Sequence, residues 1–237
     1  MNSFKYAPIT VSYLDHMGSD QRVLNVARVS FNKWKNEGSK LDERDRGLME
    51  YLESGLAADE RTIENYGTSI KHWSPFAHCM LSIRVKAPIF LARQLVKHQV
   101  GLSWNEVSRR YVDSGFEFWM PKVFHRRPTG SIKQGAGEAM DSPFVRDPVT
   151  LSTAASFKAY CELIELGVAP EEARIVLPLN TMTEWVWTGS LMAFMRVYMQ
   201  RSNSHAQLAA QEFAGALGNI ISTYFPETFK TFTKWSK

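Results

Sequence analysis

Between residues 93 and 111 the chain concentrates side chains that could hold a phosphorylated, heterocyclic ligand. Guanidinium groups bind phosphate oxygens through paired hydrogen bonds, and amides and carboxylates recognise the donors and acceptors of a ring. A solvated basic helix face or a nucleic-acid-binding patch is the plainer interpretation, and composition alone does not separate the two. The polar residues of the segment are Arg93, Gln94, Lys97, His98, Gln99, Ser103, Asn105, Glu106, Ser108, Arg109 and Arg110.

The order of these residues resembles the signature of the flavin-dependent thymidylate synthases, which methylate dUMP without a cysteine nucleophile. That signature runs Arg-Gln-x-x-Arg-His-Arg, two further residues, then Ser-x-Asn-Glu-x-Ser-x-Arg-Tyr. This chain departs from it where Lys97 and Gln99 replace the arginines beside His98, and where one extra residue precedes Ser103. The matching positions are Gln94, His98, Ser103, Asn105, Glu106, Ser108, Arg110 and Tyr111.

Further blocks similar to those of the family occur in the family's order along most of the chain. This resemblance implies a single domain over residues 1–237. It also implies an α/β (α+β) fold, in which helices flank a mixed β-sheet. The resemblance also implies a homotetramer whose sites draw on several chains. The blocks are residues 26–31, 72–78, 87–94, 132–135, 172–178 and 201–207.

The resemblance assigns a set of residues to dUMP. Arg201 matches an arginine that contacts the uracil ring and favours its ionised form, and Arg174 matches a nucleotide-binding arginine. These two are the expected catalytic groups, because each could stabilise negative charge developing on the pyrimidine. Taken alone, Arg201 is typical of a surface arginine, and Arg174 could pair with a neighbouring glutamate. The expected dUMP-binding residues are Gln94, Glu106, Ser108, Arg109, Arg110, Arg174 and Arg201.

A second set is expected to bind FAD. In the family, the triplet matched by Lys97, His98 and Gln99 lies near the flavin and its pyrophosphate. Lysine keeps the charge of arginine but loses its planar pair of donors, and glutamine loses the charge. Weaker retention of FAD is therefore expected from the sequence. The expected FAD-binding residues are Ser30, His72, Ser74, Lys97, His98, Gln99, Val100, Glu106 and Tyr111.

The implied reaction converts dUMP to dTMP, with methylenetetrahydrofolate as carbon donor, FAD as hydride carrier and NADPH as reductant of FAD. Ser108 resembles a hydroxyl once suspected as a nucleophile, but the sequence shows no His-Asp partner for it, so it is expected to bind rather than attack. Two alternatives stay open: a flavin- and folate-dependent enzyme acting on uracil in RNA, and a non-enzymatic RNA-binding module. The first predicts strong, salt-sensitive RNA affinity; the second predicts no bound flavin. Nucleic acid is the less expected partner, since no aromatic-rich recognition motif is evident.

Composition narrows the class of protein. A net charge of +4 and a pI near 9.0 suit an enzyme with anionic ligands without demanding DNA. Cys79 and Cys161 have no paired spacing, so neither a disulfide framework nor a metal site is expected. No signal-peptide pattern and no apolar run of membrane-spanning length are evident, and a cytoplasmic protein without membrane contact is expected.

Hydrophobic spacing predicts the elements that position the motif. Residues 42–57 are predicted to form a helix capped by Asp42, and residues 80–86 alternate as a half-exposed strand. A helix from Pro88 would place Gln94 and Lys97 on one face and break at Gly101. The capping-box spacing of Ser103 and Glu106 predicts a second short helix.

Towards the C-terminus, residues 113–148 are predicted to form long surface loops, and residues 181–188 a strand with Trp185 and Trp187 on one face. A capping box at Ser204 and Gln207 predicts a helix N-terminus just after Arg201. An earlier helix is predicted from an apolar stripe formed by Leu151, Ala154, Phe157, Cys161 and Ile164.

Overall fold

A computed structural model describes most of the chain as helices packed on a small central sheet. The described residues are 4–54, 70–129, 135–140 and 142–234. The strands are β1 (Lys5–Tyr6), β2 (Thr10–Met17), β3 (Met80–Pro88), β4 (Leu102–Glu106), β5 (Glu117–Phe118), β6 (Phe124–His125), β7 (Ala139–Met140) and β8 (Met182–Ser190). The α-helices are α1 (Asp20–Val29), α2 (Glu43–Ser54), α3 (Ile89–Leu95), α4 (Arg146–Glu165), α5 (Pro170–Ala173), α6 (Leu191–Arg201), α7 (Leu208–Tyr224) and α8 (Pro226–Thr233).

Four strands form the central sheet, in the order β2–β3–β8–β4, and every neighbouring pair is antiparallel. Parallel pairing joins β1 to β5. The expected strand at 80–86 is confirmed: Leu81, Ile83 and Val85 are fully buried, while Arg84 between them is exposed. The predicted α/β combination of a β-sheet with flanking helices is confirmed, but the described strands of the central sheet pair only antiparallel where a mixed sheet was expected.

The predicted short helix at Ser103 is wrong, because residues 102–106 form strand β4. Ser103 lies opposite Thr188 of β8. Trp104 turns to the covered face, where its ring stacks on that of Trp185 with 4.2 Å between centroids. The spacing of a capping box is compatible with a helix and with a strand. The area buried by the cross-strand pair of tryptophans favours the strand.

The main apolar core lies between the sheet and helices α6, α7 and α8. At its centre, Trp187 is 0% exposed and contacts Phe194 and Phe213 at centroid distances of 5.5 and 6.1 Å. Trp185 is 1% exposed. The expected strand at 181–188 is confirmed by β8. Both tryptophans are covered within a single chain and need no partner subunit.

A second apolar cluster lies under α4 and the segment that precedes β6. Phe116 and Phe118 of the predicted loop region are buried against Phe157 and Tyr160 of α4. The helix is confirmed, but its predicted stripe is partly wrong, since Leu151 is 70% exposed. The buried face of α4 differs from the predicted one because the helix packs its aromatic side chains on this cluster. The spacing of apolar residues alone did not reveal that contact.

The N-terminal turn of α2 is held by reciprocal hydrogen bonds. The carboxylate of Asp42 accepts a bond from the amide of Asp45 at 2.8 Å, and that of Asp45 accepts one from the amide of Asp42 at 3.0 Å. The predicted cap at Asp42 is confirmed. Residues 55–57 of the predicted helix, including Leu56, lie outside the described residues.

Asp45 should make folding stability sensitive to acid. Burial alone would raise its pKa, but hydrogen bonds from Lys35 and Arg28 outweigh burial and lower the pKa from 3.8 to about 2. Its contribution is therefore complete above pH 3.8 and is lost as pH falls towards 2. After allowance for solvent screening, we expect a loss of about 1–2 kcal/mol over that interval.

Urea denaturation of the wild type and Asp45→Asn at pH 7, 4 and 3 would measure this contribution. The variant should be less stable at pH 7, and the difference should shrink at pH 3. A difference that stays constant across the three pH values would contradict the assignment.

Candidate functional site

A cavity of about 390 Å³ lies where the segment after α3 faces the outer side of α6. Four consecutive residues predicted to bind FAD line it together with Arg201, the predicted catalytic arginine. These positions are more than 100 residues apart in sequence, so the fold creates the site. The lining residues are Lys97, His98, Gln99, Val100, Leu102, Ala193, Arg196, Gln200 and Arg201.

Lys97 to Val100 form a tight turn, not the continuation of α3. The helix ends at Leu95, and the amide of His98 donates to the Leu95 carbonyl at 3.0 Å. The predicted shared helical face of Gln94 and Lys97 is therefore wrong, because Lys97 lies beyond the helix. Gly101 does not break the helix; with φ of +74° it turns the chain into β4, a conformation that favours glycine.

The turn rests closely on the end of β8. The Ser190 amide donates to the Gly101 carbonyl at 3.0 Å. A Cβ on Gly189 would approach the same carbonyl to 2.3 Å, so only glycine permits this contact. Sheet and turn are therefore in direct backbone contact, which holds the Lys97–Val100 segment beside α6.

His98 and Arg201 form the centre of the cavity. Arg201 points two donors at one ring nitrogen, with Nε at 3.1 Å and Nη2 at 2.9 Å from His98 Nε2. That nitrogen must accept, so the imidazole is neutral with its proton on Nδ1. Burial, and next the charge of Arg201, lower the pKa of His98, which agrees with the neutral form of the ring. At neutral pH the cation of the pair is Arg201.

Arg201 is the last residue of α6, and the predicted helix N-terminus beside it is wrong. Helix α7 begins at Leu208, with Gln207 at the N-cap and no side-chain capping bond. Residues 202–206 instead form a turn in which the Asn203 side chain accepts from the amide of His205 at 2.9 Å. The C-terminal end of a helix carries partial negative charge, which favours a cation such as Arg201.

Two polar lining residues on α6 were not among the predicted site residues. Arg196 and Gln200 are four apart and share the face that looks into the cavity. The guanidinium of Arg196 also lies 6.0 Å from the ring of Trp73, in the block that contains His72 and Ser74. Two polar residues four apart in an otherwise apolar helix indicate an exposed polar face. The sequence pattern did not show which cavity that face lines.

The second half of the motif lies at the far end of β4. Glu106 is held through both carboxylate oxygens, by Thr183 Oγ1 at 2.7 Å and Trp104 Nε1 at 3.0 Å. Ser108 Oγ accepts a hydrogen bond from Arg110 Nε at 3.1 Å, which binds the hydroxyl beside a cation. These residues do not line the cavity that contains Lys97 and Arg201. They lie at the C-terminal end of β4, whereas Leu102 at its N-terminal end lines the cavity.

Arg109 is engaged within the chain. Its guanidinium donates to the Ser114 carbonyl at 2.9 Å and lies 4.2 Å from the centroid of the Phe116 ring. Burial lowers its pKa. The Nε atom is buried without a partner among the described residues. The geometry provides Arg109 with a structural role, and its expected contact with dUMP stays a prediction.

The remaining predicted residues are at least partly exposed on the protein surface. Gln94 hydrogen-bonds Gln207 across the gap between α3 and α7. His72 stacks on Tyr51 at 5.1 Å. The described lining of the cavity does not include them. Also exposed and outside that lining are Ser30, Ser74, Arg110, Tyr111 and Arg174, whose Nε donates to the Glu171 carbonyl at 3.1 Å.

The chemistry of the cavity fits an anionic ligand. Lys97, Arg196 and Arg201 contribute cations, and no carboxylate is present in its described lining. Burial lowers the pKa of Arg201, so the site is partly shielded from water and the attraction for an anion is strengthened. The described residues contain no cluster of three or more potential metal-ligating His, Cys, Asp or Glu side chains. None of the described helices is long and apolar enough to cross a membrane.

Known proteins resemble the chain along most of its length. The profile of the family described as "Thymidylate synthase complementing protein" matches residues 12–227. A flavin-dependent thymidylate synthase of Thermosipho africanus is 37% identical over 94% of this chain and 90% of its own length. One from Thermotoga neapolitana is 35% identical over 95% and 91%. The crystal structure of a UMP/dUMP methylase, PolB from Streptomyces cacaoi with bound 5-Br UMP, superposes with a TM-score of 0.80. It is 27% identical and covers 100% of this chain and 98% of its own.

Proposed function

The chain belongs to the family of flavin-dependent thymidylate synthases, and we propose that it methylates dUMP to dTMP. The carbon comes from methylenetetrahydrofolate, and NADPH provides the reducing equivalents. The observation that carries the proposal is the meeting of Lys97–Val100 with Arg201 in one basic cavity. The two segments match different blocks of the family, and the fold brings them to hydrogen-bonding distance.

The residues around the cavity are suited to hold FAD. Lys97 and Arg196 provide cations for its phosphates, and the exposed ring of Trp73, 6.0 Å from the Arg196 guanidinium, provides apolar surface nearby. When bound, FAD supplies hydride transfer, the step that protein side chains cannot perform. The chain positions and polarises the reactants.

Arg201 is the group that we assign to the pyrimidine. Its Nε and Nη2 are occupied by His98, which fixes the plane of the guanidinium and leaves Nη1 available. Since His98 is neutral, it orients the arginine without adding a competing charge. A cation held in this way stabilises negative charge that develops on the uracil ring. Arg174, exposed at the end of α5, is proposed to bind the same nucleotide.

No cysteine is placed to act as the nucleophile of this reaction. Cys79 is 0% exposed, and burial raises the pKa of its thiol to about 11, so the reactive thiolate is scarce at neutral pH. Cys161 lies on α4 beside the second apolar cluster. The Ser108 hydroxyl accepts a hydrogen bond from Arg110, and no base is bonded to it among the described residues. Activation of uracil by charge therefore replaces covalent catalysis.

Product analysis with competing substrates tests the proposed function. Protein with FAD, NADPH and methylenetetrahydrofolate would be given dUMP, UMP or a uridine-containing RNA, and the products identified by chromatography. We expect dTMP from dUMP and no methylated uridine in RNA. Methylated RNA with no dTMP would instead support the RNA-modifying alternative.

The active form is proposed to be a cytoplasmic homotetramer formed by a single-domain chain of residues 1–237. Of the predicted residues, one chain brings Lys97–Val100 and Arg201 into the cavity and leaves Arg174, Tyr111 and His72 exposed outside its described lining. Neighbouring chains could complete the site with these groups. Light scattering of the purified protein should give about four times the chain mass of 27.0 kDa. Full activity in a fraction that scatters as a monomer would contradict this prediction.

A further inference from the structure

Glu106 combines an exposed position with a carboxylate that the fold holds in place. Although the residue is exposed, each of its carboxylate oxygens accepts a hydrogen bond from within the chain. Oε1 accepts from Thr183 Oγ1 at 2.7 Å, and Oε2 accepts from Trp104 Nε1 at 3.0 Å. An exposed glutamate ordinarily samples many rotamers, and ordering such a side chain when a ligand binds costs free energy. Here the two bonds order the carboxylate in advance.

The indole of Trp104 is itself fixed by the core of the sheet. Its ring stacks on that of Trp185 with 4.2 Å between centroids and an interplanar angle of 18°. It also meets the ring of Trp187 edge-on, at 5.3 Å and 73°. Trp185 and Trp187 are 1% and 0% exposed, so neither ring can move aside without opening a close-packed core. The packing therefore sets the direction in which the Trp104 N–H group points.

Thr183 provides the second donor from the neighbouring strand β8. The residue is 5% exposed and lies two positions before Trp185, which pairs with Glu106 across the two strands. Residues two apart in a strand point to the same face, so Thr183 shares the face of Trp185. The pairing extends past β4, where the amide of Val107 donates to the Glu184 carbonyl at 2.8 Å. The register of the two strands thus brings the Thr183 hydroxyl to the carboxylate.

The arrangement leaves Glu106 able to accept from a ligand. An ionised carboxylate has about four lone-pair sites on its two oxygens, and the chain uses one site on each oxygen. Thr183 and Trp104 are neutral, so they orient the carboxylate without cancelling its charge. A ligand group that donates a hydrogen bond, such as a sugar hydroxyl or a ring N–H, suits the remaining sites. A phosphate group would be repelled by the like charge.

The surroundings favour the nucleotide over the flavin as the ligand of Glu106. The residue lies outside the described lining of the cavity that is assigned to FAD. It directly precedes the segment in which Ser108 Oγ accepts from Arg110 Nε at 3.1 Å, and the resemblance assigns both of those residues to dUMP. The nucleoside part of dUMP carries hydroxyl and ring N–H donors, which a fixed carboxylate can accept.

We propose that Trp104 and Thr183 are positioning residues for dUMP, which act by holding the Glu106 carboxylate towards the nucleoside. This inference rests on the proposed function, because it takes dUMP as the substrate. Trp104 occupies a position that the signature leaves open, and Thr183 lies outside all of the blocks that resemble the family. The stacked tryptophans therefore serve the site as well as the core.

Calorimetric titration of the FAD-loaded protein with dUMP tests the proposal through conservative variants. Thr183→Val and Trp104→Phe each remove one donor and keep most of the packing volume. Since one side chain is no longer ordered in advance, the dissociation constant for dUMP should rise about three- to tenfold in each variant. Turnover at saturating dUMP should stay within about threefold of the wild type, so that the change appears in KM. FAD affinity should stay within about twofold, because the flavin cavity is separate.

Three further proteins separate positioning from a general effect on the fold. Thr183→Ser restores the hydroxyl and should bind dUMP within about twofold of the wild type. Thr188→Val is the matched control, because the same substitution on the same strand breaks the 2.7 Å bond between Thr188 and Ser82 instead. Its dUMP affinity should be unchanged. In a Glu106→Ala background, Thr183→Val should cause no additional loss, since the carboxylate that it positions is absent.

Three results would overturn the proposal. One is wild-type affinity for dUMP in either Thr183→Val or Trp104→Phe. Another is an undiminished effect of Thr183→Val in the Glu106→Ala background, which would show that the hydroxyl does not act through the carboxylate. The third is a loss confined to FAD. If the wild type neither bound dUMP nor formed dTMP, the proposed function itself would fail, whereas each of the three results above leaves it intact.

Discussion

Replacing Arg201 with alanine should lower the turnover of dUMP by about two orders of magnitude, the scale observed when one electrostatic stabiliser is removed from an active site. Arg201 is held in plane by two hydrogen bonds to His98 and is the cation assigned to the pyrimidine. FAD binding should be affected less, because Lys97 and Arg196 remain in the cavity. Steady-state dTMP formation and flavin titration would separate the two effects.

Arg201→Lys is the informative control. Lysine keeps the charge but cannot span His98 and the substrate with a planar set of donors, so we expect activity between the wild type and Arg201→Ala. Turnover of Arg201→Ala within threefold of the wild type would show that Arg201 does not act on the uracil ring. If Arg201→Ala lost FAD binding and turnover to the same extent, Arg201 would be assigned to the cofactor and not to the uracil ring.

Trp187→Ala should cost about 3–5 kcal/mol of folding free energy, the range for removing a fully buried large aromatic side chain. Trp187 is 0% exposed and lies between the sheet and the rings of Phe194 and Phe213. Domains of this kind have a total stability of only about 5–15 kcal/mol, so the loss is a large share. Urea denaturation at one fixed protein concentration would measure it.

Trp34→Ala is the matched control, since the same side chain is removed from a site that is 56% exposed. Its cost should stay below about 1 kcal/mol, as for most surface substitutions. Trp187→Phe provides an intermediate should the alanine variant not fold. Equal losses for Trp34→Ala and Trp187→Ala would contradict the placement of Trp187 at the centre of the core.

The periodic elements were predictable from sequence because burial leaves a regular pattern. Strand β3 alternates Leu81, Ile83 and Val85 with polar residues, and this alternation specified both the strand and its buried face. Strand β8 shows the same period with its tryptophans. In both strands one face is covered by helices, so every second position is apolar.

The elements predicted wrongly are those whose local spacing fits two conformations. Ser103 and Glu106 have the spacing of a capping box, yet the pairing of β4 with β8 and the stacking of Trp104 on Trp185 outweigh that local preference. Ser204 and Gln207 have the same spacing, but the helix starts later, at Leu208. Such choices depend on contacts distant in sequence, which local patterns do not contain.

The candidate site was predictable only in part. The motif and the resemblance identified Lys97–Val100 and Arg201, but not that the triplet forms a turn or that His98 accepts from Arg201. Arg196 was missed because it belongs to no motif and becomes a site residue only when α6 packs beside the turn.

Formation of dTMP by a cysteine-free protein tests the central claim most directly. Cys79→Ala and Cys161→Ala would be combined, and the protein incubated anaerobically with dUMP, methylenetetrahydrofolate, NADPH and saturating FAD. We expect dTMP at a rate within about threefold of the wild type, scaled for the fraction folded, and none when FAD is omitted. Absence of dTMP from the wild type under these conditions, or dTMP formed without flavin, would contradict the account.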